Sequence, residues 1–192
     1  MILEIVKYGH PVLRQKGVLV DEVTPEIRRL IKDMFETMYE NNGIGLAAQQ
    51  VGQALQLTVI DVRTITDRPS TLEINGEPAE VDSIMPLVLI NPVLTPSGDP
   101  AKGPEGCLSF PEMYADIVRP AGVLVSAEDA DGKRIRFRCG GLLARAIQHE
   151  TDHLHGILFI DRMTRSVKED MRPELEKLQA KTKAELEKKM KK

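Results

Sequence analysis

Cysteine is scarce in this 192-residue chain: there are two, Cys107 and Cys139. In a reducing compartment one such pair reads as free thiols rather than as a disulfide framework. Long apolar runs are also missing, and nothing approaches the roughly 20 residues that cross a bilayer. The first residues, MILEIVKYGHPVLRQKG, are interrupted by Glu4 and Lys7, which is not a secretory-signal pattern. A cytoplasmic address with no membrane partner is therefore expected. Positive charge is not in excess either. The net charge of −3 argues against a general nucleic-acid binder, and no specific nucleic acid is expected. Internal repeats are absent, which excludes a solenoid.

What is present is the composition of a globular domain, 42% hydrophobic and 29% charged, with length enough for a core. The charge is uneven. Arg165–Lys192 carries ten Lys and Arg against six Asp and Glu, a net of +4, leaving −7 on the remainder. A body of one sign and a tail of the other can mark a tether. The tail is rich in strong helix formers and charged on most faces, so a solvated terminal helix is expected, with Pro173 near its start.

Apolar spacing places the other elements. Within Thr24–Asn42, the residues Ile27, Leu30, Ile31, Met34, Phe35 and Met38 recur at helical intervals. Thr24 suits the N-cap, Pro25 the first helical position and Gly43 the stop. LQLTVIDV, PLVLINP, MYADIVRP, GVLVSAEDA and KRIRFRC read as strands, with Asp131-Gly132 as a hairpin turn. The polar stretch Arg63–Met85 contains Asn75-Gly76 and reads as a hairpin or long surface loop. LLARAIQHETDHLHG reads as a buried helix. Strands are not regularly interleaved with helices, which favours a single α+β domain of mixed or antiparallel strands.

That last helix carries chemistry. "QHETDH" contains H-E-x-x-H, and a spacing of four puts His149 and His153 on one helical face. Two neutral imidazoles so placed can grip one metal ion, with Glu150 beside a water there. A catalytic metal site needs a third protein ligand, and helical spacing alone does not name it. Cys139 reads as a small buried hydrophobe in a strand. Cys107, in the Gly- and Pro-punctuated KGPEGCLSFP, fits that description poorly.

GIGLAAQQ at Gly43–Gln50, EGCLS at Glu105–Ser109 and QHETDH, in this order, resemble the three signature motifs of the peptide deformylases. The resemblance runs from HPVLR to LFIDR. It implies a catalytic domain over residues 1–164, built around a central metal-binding helix, with the charged tail at 165–192. It implies one divalent metal held by Cys107, His149 and His153, Fe(2+) first, with Zn(2+), Ni(2+) or Co(2+) as substitutes. Glu150 becomes the proton-transferring base, with Gln50 and the backbone N–H of Leu108 stabilising an oxyanion. Gly43, Ile44, Gly45 and Gly106 would meet the peptide backbone, while Leu142 and Ala146 line a pocket for methionine. The implied substrate is the N-formylmethionyl end of a nascent polypeptide, and the implied enzyme is a monomer. The basic tail suggests contact with the ribosome.

Arg119 and Asp152 read as an ion pair steadying the histidine helix, and Glu105 as the partner of a ligand histidine. Two other functions share the H-E-x-x-H pattern. A zinc endopeptidase usually draws its third ligand from downstream, whereas EGCLS lies upstream. A non-catalytic metal or peptide-binding module would need neither Glu150 nor Gln50.

Overall fold

The computed structural model describes residues 1–192. Its first helix, α1 (Pro25–Glu40), begins where the cap chemistry places it: the Thr24 hydroxyl accepts from the N–H of Ile27. The stop differs from expectation. Asn42, at φ +55°, takes the left-handed position, not Gly43. Asn reaches that region at little cost because its short polar side chain can bond locally.

Seven strands follow: β1 (Gly45–Ala47), β2 (Leu57–Ile60), β3 (Ser70–Ile74), β4 (Glu77–Pro78), β5 (Leu87–Cys107), β6 (Phe110–Glu128) and β7 (Arg134–Gly140). They form one sheet in the order β1-β2-β5-β6-β7-β3-β4, and every neighbouring pair is antiparallel. Helix α2 (Gly141–Leu154) packs on the sheet, and α3 (Arg165–Met190) closes the chain. This is an α+β fold of one sheet and three helices.

Two strands run through sequence that reads as broken. KGPEGC is not a loop but the end of β5, which pairs with β6 from Ile90 to Cys107 across three register shifts. The irregular register absorbs the prolines, which cannot donate to a ladder. The Arg63–Met85 stretch holds the β3–β4 hairpin, turned by Asn75 (φ +53°) and Gly76 (φ +79°). Two consecutive positive φ values are what a tight hairpin turn requires. The hairpin extends the sheet beyond β7.

Three apolar clusters hold the layers together. The largest lies between α2 and the sheet and contains Ile147, Leu143, Val123 and Val125, all fully buried. Burying each such side chain contributes roughly 1.5–3 kcal/mol. A second joins α1 to β1 and β2 through Met34 and Met38. The third gathers Phe110, Phe159 and Leu13 under α3.

Helix α3 is less solvated than its composition implies, and Pro173 lies inside it rather than near its start. Thr164 caps the helix nine residues before that proline, accepting from the N–H of Val167. Val167, Met171, Leu175 and Leu178 then form a stripe against the Phe110 cluster. That burial offsets the roughly 3 kcal/mol that an interior proline costs.

Candidate active site

Helix α2 is built for burial. Thirteen of its fourteen residues are buried, polar ones included. Its first turn has no side-chain cap from Gly140. Instead, the N–H of Leu142 donates to the Pro69 carbonyl at 3.0 Å and that of Leu143 to the Ser70 hydroxyl at 3.0 Å. Gly141, at φ +67°, makes the approach possible, since a Cβ there would lie 2.2 Å from the Pro69 oxygen. Pro69 and the first residue of β3 thus supply the acceptors that the N–H groups of every helix start need.

One turn apart on α2, His149 and His153 face the end of β5. Their ring nitrogens and the Cys107 sulfur lie within 4.8 Å of one another. The Cys107 Sγ is 3.4 Å from His153 Nε2. Ligands around one tetrahedral ion, at bond lengths of 2.0–2.3 Å, stand roughly 3.4–3.6 Å apart. The donor set therefore fits a divalent metal in both spacing and chemistry. Cys139, at the far end of β7, is buried apart from this cluster, and burial pushes its thiol up to about 12.

A buried ionic network orients the ligands. Glu105 accepts from His149 Nδ1 at 2.8 Å, which leaves Nε2 of that ring as the free donor atom. The same carboxylate accepts from Arg119 at 2.7 and 2.9 Å and from Arg145 at 2.8 Å. Arg119 also donates to Asp152 at 2.9 Å, and Arg162, in the segment after α2, engages the other side of Asp152. Burial opposes the charge on Glu105, but His149 and Arg119 outweigh it and hold the carboxyl well below its usual range. Arg145 went unnoticed in the sequence, although its place four residues before His149 puts it on the ligand face.

Glu150 sits differently. Burial pushes its carboxyl up to about 7, and its Oε2 has no hydrogen-bond partner. It lies against β1: a Cβ on Gly45 would fall 2.6 Å from its Oε1. Gln50 is also buried, with its amide fixed at both ends. Its Oε1 accepts from the Ala47 N–H at 2.9 Å, so Nε2 turns to the Cys107 sulfur (3.4 Å) and the Ser109 hydroxyl (3.2 Å). The N–H of Leu108, in the turn after β5, has no acceptor in the fold.

These groups open into a cavity of about 760 Å³. Gly43, Ile44, Gly45, Gly106, Leu142 and Ala146 all line it, as do Leu108, Gln50, Cys107, His149 and Glu150. His153 lies behind this lining, 1% exposed. Strand β1 is a sheet edge, paired only with β2, so its outer backbone can receive an extended peptide. Ile65 and Arg68, from the Arg63–Met85 stretch, also line the cavity. No periodicity in that stretch pointed to them.

A family model described as polypeptide deformylase matches residues 2–169. The peptide deformylase of Methylacidiphilum infernorum is 47% identical over 178 residues, covering 93% of each chain. Among solved structures, Arabidopsis thaliana peptide deformylase 1B in complex with an inhibitor is similar at 40% identity and a TM-score of 0.81, over 95% of this chain and 93% of that one. A peptide deformylase from Synechococcus elongatus in complex with actinonin is 40% identical with a TM-score of 0.74, over 94% and 85% of the two chains.

Proposed function

The chain belongs to the peptide deformylase family, and we propose that its deformylase chemistry is carried by Glu150 at a divalent centre held by Cys107, His149 and His153. The enzyme is a metal-dependent hydrolase that removes the N-formyl group from the N-terminal methionine of new proteins. The endopeptidase and non-catalytic readings of H-E-x-x-H therefore fall away. The observation that carries the site assignment is the position of Glu150: buried, with Oε2 unpartnered, and set between the three-donor cluster and the edge strand β1.

A bound divalent ion would supply Lewis acidity, lowering the pKa of water and polarising the formyl carbonyl. Glu150, which lines the cavity beside β1 with Oε2 unpartnered, would take a proton from the attacking water and return it to the departing amine. Gln50 Nε2 and the Leu108 N–H are the donors aimed where the carbonyl oxygen gains charge, and one such donor supplies roughly 3–4 kcal/mol. Gly45 at the start of β1, with Gly43 and Ile44 just before it and Gly106 on β5, would hold the peptide backbone. Leu142 and Ala146 favour an apolar first side chain, because burying an unpaired carboxylate there is costly.

We propose Fe(II) as the working metal on the family resemblance, with Zn(II), Ni(II) or Co(II) as substitutes, since a thiolate with two imidazoles suits all four. The proposed organisation is a monomeric catalytic domain over residues 1–164 and a tail at 165–192, acting in the cytoplasm. No helix is long and apolar enough to cross a membrane. The tail's apolar stripe is used against the body, so its Lys and Arg, which are exposed, form the face proposed to meet ribosomal phosphate.

The test is formate release from formyl-Met-Ala-Ser. Anaerobically iron-loaded enzyme should release formate faster than matched zinc enzyme, and chelation should stop both. Zinc enzyme equal to or faster than iron would remove the iron assignment. Comparable turnover of acetyl-Met-Ala-Ser would count against the pocket as assigned.

A further inference from the structure

The Arg63–Met85 stretch contributes two residues to the cavity, and one of them is charged. Arg68 lies one residue before Pro69, whose carbonyl is fixed by the N–H of Leu142 on α2. Ser70 is fixed in turn by the N–H of Leu143, and β3 begins there, hydrogen-bonded into the sheet. The arginine therefore leaves a rigid base. Its Nη2 donates to the Pro104 carbonyl at 3.3 Å, on β5 two residues before Gly106. No carboxylate of the fold pairs with it, unlike Arg145, whose charge is taken up by Glu105.

A guanidinium has five N–H donors in a planar fork, and this one spends a single donor on a neutral carbonyl. The charges around it point the same way. Lys7 is a second cavity cation without an ion-pair partner, and Glu112 is the lining carboxylate left unpaired. The cavity lining thus carries two cations without an ion pair, Arg68 and the half-buried Lys7, against one such carboxylate outside the buried site, Glu112. A half-exposed, unpaired guanidinium beside a peptide groove recognises carboxylate by a two-point hydrogen-bonded pair.

We propose that Arg68 is a specificity-determining residue that favours formyl-methionyl peptides carrying an aspartate or glutamate at the second or third position. This rests on the reading of the cavity as the formyl-peptide groove. The first side chain enters the apolar part lined by Leu142 and Ala146, so the carboxylate recognised here belongs to a residue further along. In a nascent chain the C-terminus is not within reach, which leaves an acidic side chain as the partner.

The experiment uses C-terminally amidated formyl-Met-Xaa-Yaa peptides with Asp, Asn or Lys at either downstream position, assayed by formate release at low and at high salt. Amidation removes the terminal carboxylate as a source of the effect. The wild-type enzyme should prefer Asp over Asn by about fivefold in kcat/KM, mainly through KM, as expected of a contact made equally in ground and transition states. The preference should shrink at high salt. Arg68→Ala should bring the Asp-to-Asn ratio to unity, Arg68→Lys should keep part of it, and Arg68→Glu should reverse it in favour of Lys. An unchanged ratio in Arg68→Ala, or no reversal in Arg68→Glu, overturns the assignment. If the Asn peptide is not deformylated at all by the wild-type enzyme, the groove reading itself fails. Turnover of that peptide with no charge preference refutes only the role of Arg68.

Discussion

Helices α2 and α3 differ in the use they make of polar residues. In α2, fourteen residues long, thirteen are buried, among them two histidines, two carboxylates and an arginine. In α3, twenty-six residues long, two are buried and the charges face water. The polar side chains of α3 keep a long helix solvated at little energetic consequence. Those of α2 are desolvated, and each must find a partner or be held for chemistry. Arg145, His149 and Asp152 find theirs in the network around Glu105 and Asp152, and Gln148 donates to the carbonyls of Pro120 and Ala144. Three side-chain atoms of α2 are left without partners: Glu150 Oε2 and His153 Nδ1, in residues assigned to the reaction, and Thr151 Oγ1, between them. The contrast teaches that the unsatisfied polar atoms of a buried helix cluster around its reactive face, here within Glu150–His153.

The severest break in this comparison is at Glu150. Glu150→Ala should lower formate release by about 10²–10⁴-fold while metal analysis still finds stoichiometric metal. Cys107→Ala should lose metal and turnover together. Full turnover in Glu150→Ala would remove it as the base.

Next comes the network that makes α2 tolerable inside the protein. Arg119→Met removes the cation shared by Glu105 and Asp152, leaving Glu105 to Arg145 and His149 and Asp152 to Arg162, and removing one partner of such a buried network costs about 3–5 kcal/mol. Denaturant midpoints read this directly. A loss below about 1 kcal/mol would show that the buried charges of α2 are not held as described.

For α3 the sensitive position is apolar. Leu175 is 5% exposed within the Phe110 cluster, so Leu175→Ala should cost about 2–3 kcal/mol with metal content retained. An equal cost from an exposed neighbour such as Lys177→Ala would contradict the stripe.

The smallest effect sharpens the contrast furthest. Charge reversal at exposed Lys177, Lys181 and Lys188 should shift stability by less than about 0.5 kcal/mol per site. It should nevertheless weaken low-salt co-sedimentation with ribosomes. Unchanged co-sedimentation would separate the tail from any tethering role.

Much of this was legible in the chain. The Thr24 cap, the α1 stripe, the Asn75-Gly76 turn and the burial of the H-E-x-x-H helix all follow from local chemistry and periodicity. The pairing of Arg119 with Asp152, and of Glu105 with a ligand histidine, was legible as well, from charges placed in segments read as buried. Local reasoning failed where distant segments decide. Prolines in KGPEGC suggest a loop until β6 pairs alongside them. Pro173 suggests a helix start until an apolar stripe stabilises the turns before it. Ile65 and Arg68 sit in a polar stretch with no period, and only the docking of that stretch on α2 brings them to the cavity.

The sequence by itself determined the donor chemistry and the spacing that sets His149 above His153, because the rise and turn of a helix are properties of its backbone. It determined the contrast between a charged tail and an apolar buried helix for the same reason. Tertiary structure alone decided that Glu150 would be dry enough to rise to about 7, that Gln50 would turn its nitrogen toward Cys107, and that the start of α2 would be capped by Pro69 and Ser70. Desolvation and hydrogen-bond completion depend on what packs from elsewhere in the chain, and no local pattern encodes them.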